Sequence, residues 1–191
     1  MSELNAIHEE CGVFGIMTPT LQPLANYVYY GLFSLQHRGQ DSCGIAVNLD
    51  HDIRVQKARG LVPDTFNQEI LDSFHGARAA VGHVRQNVDF NNTSMSNVQP
   101  LVVHHASGSL ALCYNGKLVN GGRLRSEAEY RGGIFQGTND AEIISYVIVR
   151  EHLRTHTLAD AVLNAMNDLI GAFSIIVMDE NSLIAARDPN G

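Results

Sequence analysis

The stretch that decides the fold lies near the start of the chain and reads Glu9-Glu10-Cys11-Gly12-Val13-Phe14-Gly15-Ile16. It places one cysteine at the beginning of an apolar, strand-like run, after a short polar leader. The two glycines in the run allow close backbone approach, and the pattern predicts a buried strand from Cys11 to Met17. Pro19 and Pro23 predict a turn directly after that strand.

Composition narrows the class of protein around this strand. With 191 residues, 45% hydrophobic and 17% charged, the chain suits one globular domain with a proper core. Its 13 basic and 20 acidic residues give a formal net charge of -7, which argues against a nucleic-acid or anionic-membrane partner. No apolar run approaches the ~18 residues that span a bilayer. The leader lacks the features of a secretory signal, so we expect a cytoplasmic protein.

The cysteines and histidines do not form a recognisable metal motif. Cys11, Cys43 and Cys113 are too few and too scattered for a disulfide framework, and there is no C-x-x-C. No cysteine or histidine pair has zinc-site spacing, and His104 and His105 are adjacent, so they would point to opposite faces of a strand. We therefore predict no metal and no cofactor in this domain.

The remaining periodicities alternate between helix and strand. Helices are predicted over 24–36, after a cap at Asp64, over 120–131, after Thr138-Asn139-Asp140, and over 158–169. Strands are predicted in hairpins, including one over 109–114 that ends at Asn115-Gly116. Hairpins mixed with helices favour an α+β architecture, in which two largely antiparallel sheets face each other with helices outside.

Five places combine a turn with a polar side chain at the end of an element: Cys11-Gly12, His37-Arg38-Gly39, Gly82-His83-Val84-Arg85, Asn115-Gly116 and Asp140. Each also has a purely structural explanation, such as a buried thiol, a helix end or a tight turn. Together, however, they make a consistent set. A free α-amine can act as base for a thiol, an amide and a glycine N–H can stabilise an oxyanion, and an arginine with an aspartate can bind a free amino acid.

The motifs also resemble a known family in their order along the chain. They are Cys-Gly-Val-Phe-Gly-Ile, Leu-Gln-His-Arg-Gly-Gln, Gly-His-Val-Arg, Asn-Val-Gln-Pro, Tyr-Asn-Gly-Lys-Leu-Val-Asn, Thr-Asn-Asp-Ala-Glu and Ala-Ala-Arg-Asp-Pro-Asn-Gly. This pattern resembles the N-terminal glutaminase domain of the amidophosphoribosyltransferases, which are class II glutamine amidotransferases. The resemblance implies the N-terminal-nucleophile (Ntn) hydrolase fold, an αββα four-layer sandwich.

The resemblance also implies the catalytic groups. Cys11 would attack the side-chain amide of L-glutamine, form a thioester and release ammonia. Its own α-amine would be the base, so residues 1–10 would be a propeptide and 11–191 the glutaminase domain. Asn115 and Gly116 would form the oxyanion hole.

Three further residues would bind substrate or shape the site. Arg85 would hold the α-carboxylate of glutamine and Asp140 its α-ammonium, while Arg38 would support the wall around the nucleophile. Residues 86–97 fall where the family has a lid over bound glutamine. The ammonia would pass to a phosphoribosyltransferase domain or partner chain, giving phosphoribosylamine in purine biosynthesis, and we expect a homo-oligomer.

The sequence departs from the family pattern at three positions. Gln86 and Val88 replace an aromatic residue and a threonine in the lid, and Tyr114 replaces the histidine before the oxyanion asparagine. The resemblance also implies further strands after Gly191. An excised piece, a natural fragment and a truncated paralogue are open alternatives. So is a second function, a non-catalytic or unprocessed glutamine-binding module; a cysteine protease fits less well, because no separate histidine base stands in a suitable motif.

Overall fold

The computed structural model describes residues 11–49, 52–86 and 94–189. The strands are β1 (Gly12–Gln22), β2 (Ser42–Leu49), β3 (Asp52–Arg59), β4 (Ala77–Arg85), β5 (Leu101–His105), β6 (Gly108–Leu118), β7 (Gly171–Met178) and β8 (Leu183–Arg187). The helices are α1 (Leu24–Ser34), α2 (Val62–Thr65), α3 (Gln68–Asp72), α4 (Gly121–Tyr130), α5 (Asp140–His152) and α6 (Leu158–Met166). Short 3-10 turns cover Gln36–Arg38 and Met95–Asn97.

The strands form two four-stranded sheets in which each described pairing is antiparallel. The first sheet has the order β1-β4-β2-β3 and the second the order β5-β6-β7-β8. One apolar cluster fills the space between them, with Ala46 and Val81 from the first sheet and Ala111 and Met178 from the second. Because these residues are mostly small, the sheets can pack closely face to face.

Helices cover the outer face of each sheet. Leu24, Val28 and Leu32 of α1 pack on the first sheet, and α1 passes over Gly82, where a Cβ would lie 2.4 Å from Val28. Helices α4, α5 and α6 bury their apolar faces on the second sheet. The layer order is therefore helix, sheet, sheet, helix, which confirms the predicted α+β Ntn-hydrolase sandwich. None of the helices in these described ranges is long and apolar enough to span a bilayer.

Several predicted boundaries were wrong for physical reasons. The first strand does not turn at Pro19 but runs on to Gln22; β1 is an edge strand, where the missing N–H of proline costs no ladder bond. Asp64 does not cap a helix that contains Phe66. Two short helices form instead, and Asn67 caps the second by accepting from the N–H of Ile70 at 2.9 Å.

The strand that carries Asn115 and Gly116 also differs from its prediction. It does not end there but continues to Leu118, paired with β7 along the whole segment. The two residues therefore lie within a strand rather than in a tight turn. The predicted leader, the turn at 50–51 and the central part of the predicted lid, 87–93, lie outside the described residues.

Candidate active site

Cys11 lies immediately before β1 and is half-buried. Its φ is +50°, a left-handed backbone conformation that residues other than glycine seldom adopt. Its backbone carbonyl accepts a hydrogen bond from Nε of Arg38 at 2.8 Å. Its thiol faces the backbone carbonyl of Gln86, 4.0 Å away. Arg38, which the 3-10 turn after α1 presents, thus directly contacts the residue predicted to be the nucleophile.

Arg85 lies at the end of β4, next to the residue that pairs with Gly12. Val84 is the strand partner of Gly12, and Arg85 follows it, half-buried. Its carbonyl accepts from the N–H of Asp41 at 2.9 Å. Gly39 packs on the backbone here, since a Cβ at Gly39 would lie 2.6 Å from the carbonyl carbon of Arg85. The end of the first sheet and the 3-10 turn beside it therefore bring together the predicted nucleophile, Arg38 and Arg85.

The predicted oxyanion donors come from the second sheet. Asn115 pairs with Ser174 of β7, and Gly116 pairs with Phe173. Gly116 has φ +138°, and a Cβ there would lie 2.2 Å from the carbonyl oxygen of Ala172, so only glycine fits. The neighbouring strand thus fixes the backbone that would present the glycine N–H.

Asp188 supports this part of β7 from behind. It is buried, and its carboxylate accepts from the N–H of Phe173 at 2.8 Å. Its own N–H donates to the carbonyl of Phe173 at 3.0 Å. Asp188 was not predicted as a functional residue, although it lies in the motif Ala-Ala-Arg-Asp-Pro. Asp188 therefore fixes Phe173, the strand partner of Gly116 in the candidate oxyanion site.

Asp140 is the first residue of α5, and its carboxylate lies against the end of β6. Its Oδ2 accepts from the hydroxyl of Tyr114 at 3.1 Å and from the N–H of Leu118 at 3.0 Å. Asn139 caps the helix by accepting from the N–H of Glu142 at 3.3 Å. The start of α5, β6 and the predicted oxyanion residues therefore form one connected group.

The backbone of Tyr114 is held by side chains where β5 no longer covers β6. Pairing with β5 stops at Leu112, and beyond it Gln99 takes over. The Gln99 amide accepts from the N–H of Tyr114 at 2.6 Å and donates to its carbonyl at 3.1 Å. A glutamine side chain thus replaces a neighbouring strand and satisfies both backbone polar groups of a buried residue.

His83 links the two sheets at the same point. It is fully buried in β4, and its Nε2 lies 3.0 Å from the carbonyl oxygen of Tyr114. A carbonyl can only accept, so Nε2 carries the proton. Burial, together with the charge of Arg85, lowers the pKa of His83 to about 4 in spite of this bond. His83 is neutral near pH 7 and ties the two halves of the candidate site together.

The surroundings of Tyr114 also change its pKa. It is raised far above its ordinary value by burial, then by the charge of Asp140 and the bond to it, with a smaller contribution from Cys11. The phenol stays protonated and donates its hydrogen bond at any pH near neutrality.

Asn97 anchors residues 94–97, the described part of the predicted lid that leads into β5. Its side chain is buried and accepts from the N–H groups of Thr138 and Asn139, at 2.9 and 3.2 Å. It also donates to the hydroxyl of Thr138 at 3.2 Å. Asn97 therefore fixes the backbone directly before α5. Asn97, Gln99 and His83 were missed as site residues, although all three stand inside the motifs that carry the family resemblance.

The roles predicted for the six site residues stay predictions. Arg85, Asn115 and Gly116 lie in strands of the two sheets and Asp140 begins α5, while Cys11 directly precedes β1 and Arg38 lies in the 3-10 turn after α1. Within the described ranges, no three His, Cys, Asp or Glu side chains come together as metal ligands.

Comparison with known proteins defines the class. The Glutamine amidotransferase domain family matches residues 83–191, which is more than half of the chain. The chain is 42% identical over 181 residues to the amidophosphoribosyltransferase of Methanocaldococcus jannaschii, covering 95% of this chain and 38% of the relative. It is 39% identical over 193 residues to the enzyme of the same name from Bacillus subtilis, covering 100% of this chain and 39% of the relative.

A solved structure agrees with these sequence comparisons. The glutamine phosphoribosylpyrophosphate amidotransferase of B. subtilis, complexed with ADP and GMP, superposes with a TM-score of 0.79 at 38% identity, covering 94% of this chain and 37% of that one. The chain belongs to the glutamine amidotransferase domain family, and the part of its relatives that it matches is the N-terminal glutaminase part of amidophosphoribosyltransferase. It spans less than two fifths of the length of these relatives.

Proposed function

We propose that the chain hydrolyses L-glutamine to glutamate and ammonia through a thioester on Cys11. One observation carries the proposal. Cys11, whose carbonyl Arg38 holds at 2.8 Å, lies beside β4, and His83 of β4 bonds at 3.0 Å to the residue that precedes Asn115. This link between the two sheets supports a site in which the thiol, the oxyanion donors and the two opposite charges act together.

Each step of the reaction has a residue to perform it. The α-amine of Cys11 takes the thiol proton, and the sulfur attacks the side-chain amide carbon of glutamine. The negative oxygen that forms is stabilised by the Asn115 amide and the Gly116 N–H. The C–N bond then breaks, the α-ammonium returns its proton, and ammonia leaves. Water, deprotonated by the same amine, cleaves the thioester to give glutamate and the free thiol.

The substrate is held by its two charged ends. Arg85 suits the α-carboxylate because a guanidinium donates two parallel hydrogen bonds to a carboxylate. Asp140 suits the α-ammonium. The α-amine of Cys11 is free only after residues 1–10 are removed, so the proposal includes a propeptide that precedes a glutaminase domain over 11–191.

The names of the relatives extend the proposal to a partner. In an amidophosphoribosyltransferase the ammonia is transferred to a phosphoribosyl group, so this chain would supply ammonia to a phosphoribosyltransferase domain or partner chain in purine biosynthesis. We further propose a cytoplasmic homo-oligomer that needs no cofactor in this domain.

The test combines intact mass with ammonia release from L-glutamine. We expect a mass that lacks residues 1–10 and steady release of ammonia, and Cys11→Ala should reduce release to the level of buffer alone. Cys43→Ala is the matched control, because Cys43 is buried behind α2 and bonds to Thr65 at 3.3 Å. Processed protein that binds glutamine without releasing ammonia would overturn the proposal in favour of a non-catalytic binding module.

A further inference from the structure

Tyr114 has its ring buried and its position fixed from several sides. Its relative exposure is 6%, its backbone is held by Gln99 and His83, and its hydroxyl donates to Oδ2 of Asp140 at 3.1 Å. A buried hydroxyl that bonds to a carboxylate is a strong, directional contact. The ring therefore acts as a rigid arm between β6 and the first residue of α5.

The two oxygens of Asp140 have different surroundings. Oδ2 accepts both from Tyr114 and from the N–H of Leu118 at 3.0 Å. Oδ1 faces Gly121, where a Cβ would lie 2.6 Å from it. The two donors and this close approach of Oδ1 to Gly121 thus fix the rotation of the carboxylate.

We propose that Tyr114 is a positioning residue for substrate recognition: it holds the Asp140 carboxylate in the orientation that receives the α-ammonium of glutamine, and it thereby sets the preference for substrates that carry this group. The inference rests on the proposed function. Tyr114 acts through Asp140 and does not itself take part in the bond changes.

The location of Tyr114 makes the effect specific to one end of the substrate. Asp140 is the group assigned to the ammonium, whereas Arg85, assigned to the carboxylate, lies on the other sheet. Loss of the phenol hydroxyl should therefore weaken recognition of the amino group only. A general loosening of the fold would instead weaken binding of any substrate.

The test is Tyr114→Phe, assayed with L-glutamine and with its analogue that lacks the α-amino group, 5-amino-5-oxopentanoic acid. We expect the KM for glutamine to rise about tenfold with kcat unchanged, as loss of one hydrogen bond to a charged group predicts. The KM for the analogue should not change. Tyr146→Phe, the same change on the far side of α5 where the ring packs against Phe135, should leave both values at the wild-type level.

A second variant and a binding measurement separate this inference from the proposed function. Gly121→Ala leaves the hydroxyl in place but puts a methyl group 2.6 Å from Oδ1, which must displace the carboxylate, so it should reduce the same discrimination. Calorimetry with L-glutamate and glutarate measures binding without turnover. Tyr114→Phe should weaken the binding of L-glutamate about tenfold and leave the binding of glutarate unchanged.

The outcomes are distinct. Wild-type protein that releases no ammonia but shows the calorimetric difference contradicts the proposed function and supports the role of Tyr114. An unchanged or lower KM for glutamine, an equal loss for both substrates, or a wild type that does not bind L-glutamate overturns the role of Tyr114.

Discussion

The two ends of helix α5 differ in how fully the polar groups beside them are hydrogen-bonded. At the amino end, the carboxylate of Asp140 has two donors, and that of Glu142 accepts from the N–H groups of Gln136 and Gly137 at 2.9 and 2.8 Å. At the carboxyl end, His152 meets His105 with ring centroids 5.5 Å apart. His105 Nε2 and His152 Nδ1 are buried there with no hydrogen-bond partner among the described residues.

The difference indicates which end is built to hold a ligand rigidly. A satisfied carboxylate has a fixed orientation, whereas a buried nitrogen without a partner costs stability and fixes nothing. The carboxyl end borders a cavity of about 420 Å³, lined among others by His156, Asp179 and Glu180. Of the two histidines, His105 accepts at Nδ1 from the N–H of Ser107 at 3.2 Å, so its neutral form carries the proton on Nε2 and is not ready to bind a metal there.

Acidification should destabilise the group around the amino end of α5 first. His83 belongs to this group because it bonds to Tyr114, and Tyr114 bonds to Asp140. The pKa of His83 falls from 6.5 to about 4 on folding, so folding favours the neutral form. The stability from neutral His83 is complete above pH 6.5 and is lost as the pH falls towards 4, by about 3 kcal/mol in all. Urea unfolding from pH 7 to pH 4 measures this loss.

His83→Gln should flatten that dependence. His105→Gln is the matched control at the carboxyl end: burial and the charges of His152 and His104 lower the pKa of His105, while Asp179 opposes them. His105 is only half-buried, so its removal should flatten the curve less. If His105→Gln flattened the pH dependence more than His83→Gln, the carboxyl end of α5 would be the more acid-sensitive of the two.

Asn97→Ala tests whether the amino end depends on the segment that precedes β5. The change leaves the N–H groups of Thr138 and Asn139 without their acceptor, and it should lower the free energy of unfolding by about 2 kcal/mol. It should also raise the KM for glutamine, because the start of α5 carries Asp140. Ser94→Ala, an exposed position in the same segment, should cost less than half as much; equal losses would contradict the anchoring role.

Sequence patterns predicted the elements but not the contacts that join them. Periodicity predicted α5 and its acidic start, because both are local. The end of β6 was wrong because pairing with β7, more than fifty residues later, keeps Asn115 and Gly116 in a strand. The supports at Asn97, Gln99 and His83 depend on partners 15 to 42 positions away, so no local rule predicts them. All three residues lie within motifs that carry the family resemblance, but the motifs alone do not show what these residues contact.

The smallest effect is expected from His152→Leu at the carboxyl end. The change removes a buried nitrogen that has no partner among the described residues and adds apolar contact, while it loses the edge-to-face ring contact with His105. The balance should be stabilising by less than about 1 kcal/mol, measured by urea unfolding, with ammonia release unchanged. His156→Leu, an exposed position on the same cavity, should change stability by less than about 0.5 kcal/mol. A loss of more than 1 kcal/mol in His152→Leu, or slower ammonia release, would mean that the unpartnered nitrogen has a partner in solution, and the two ends of α5 would then be alike.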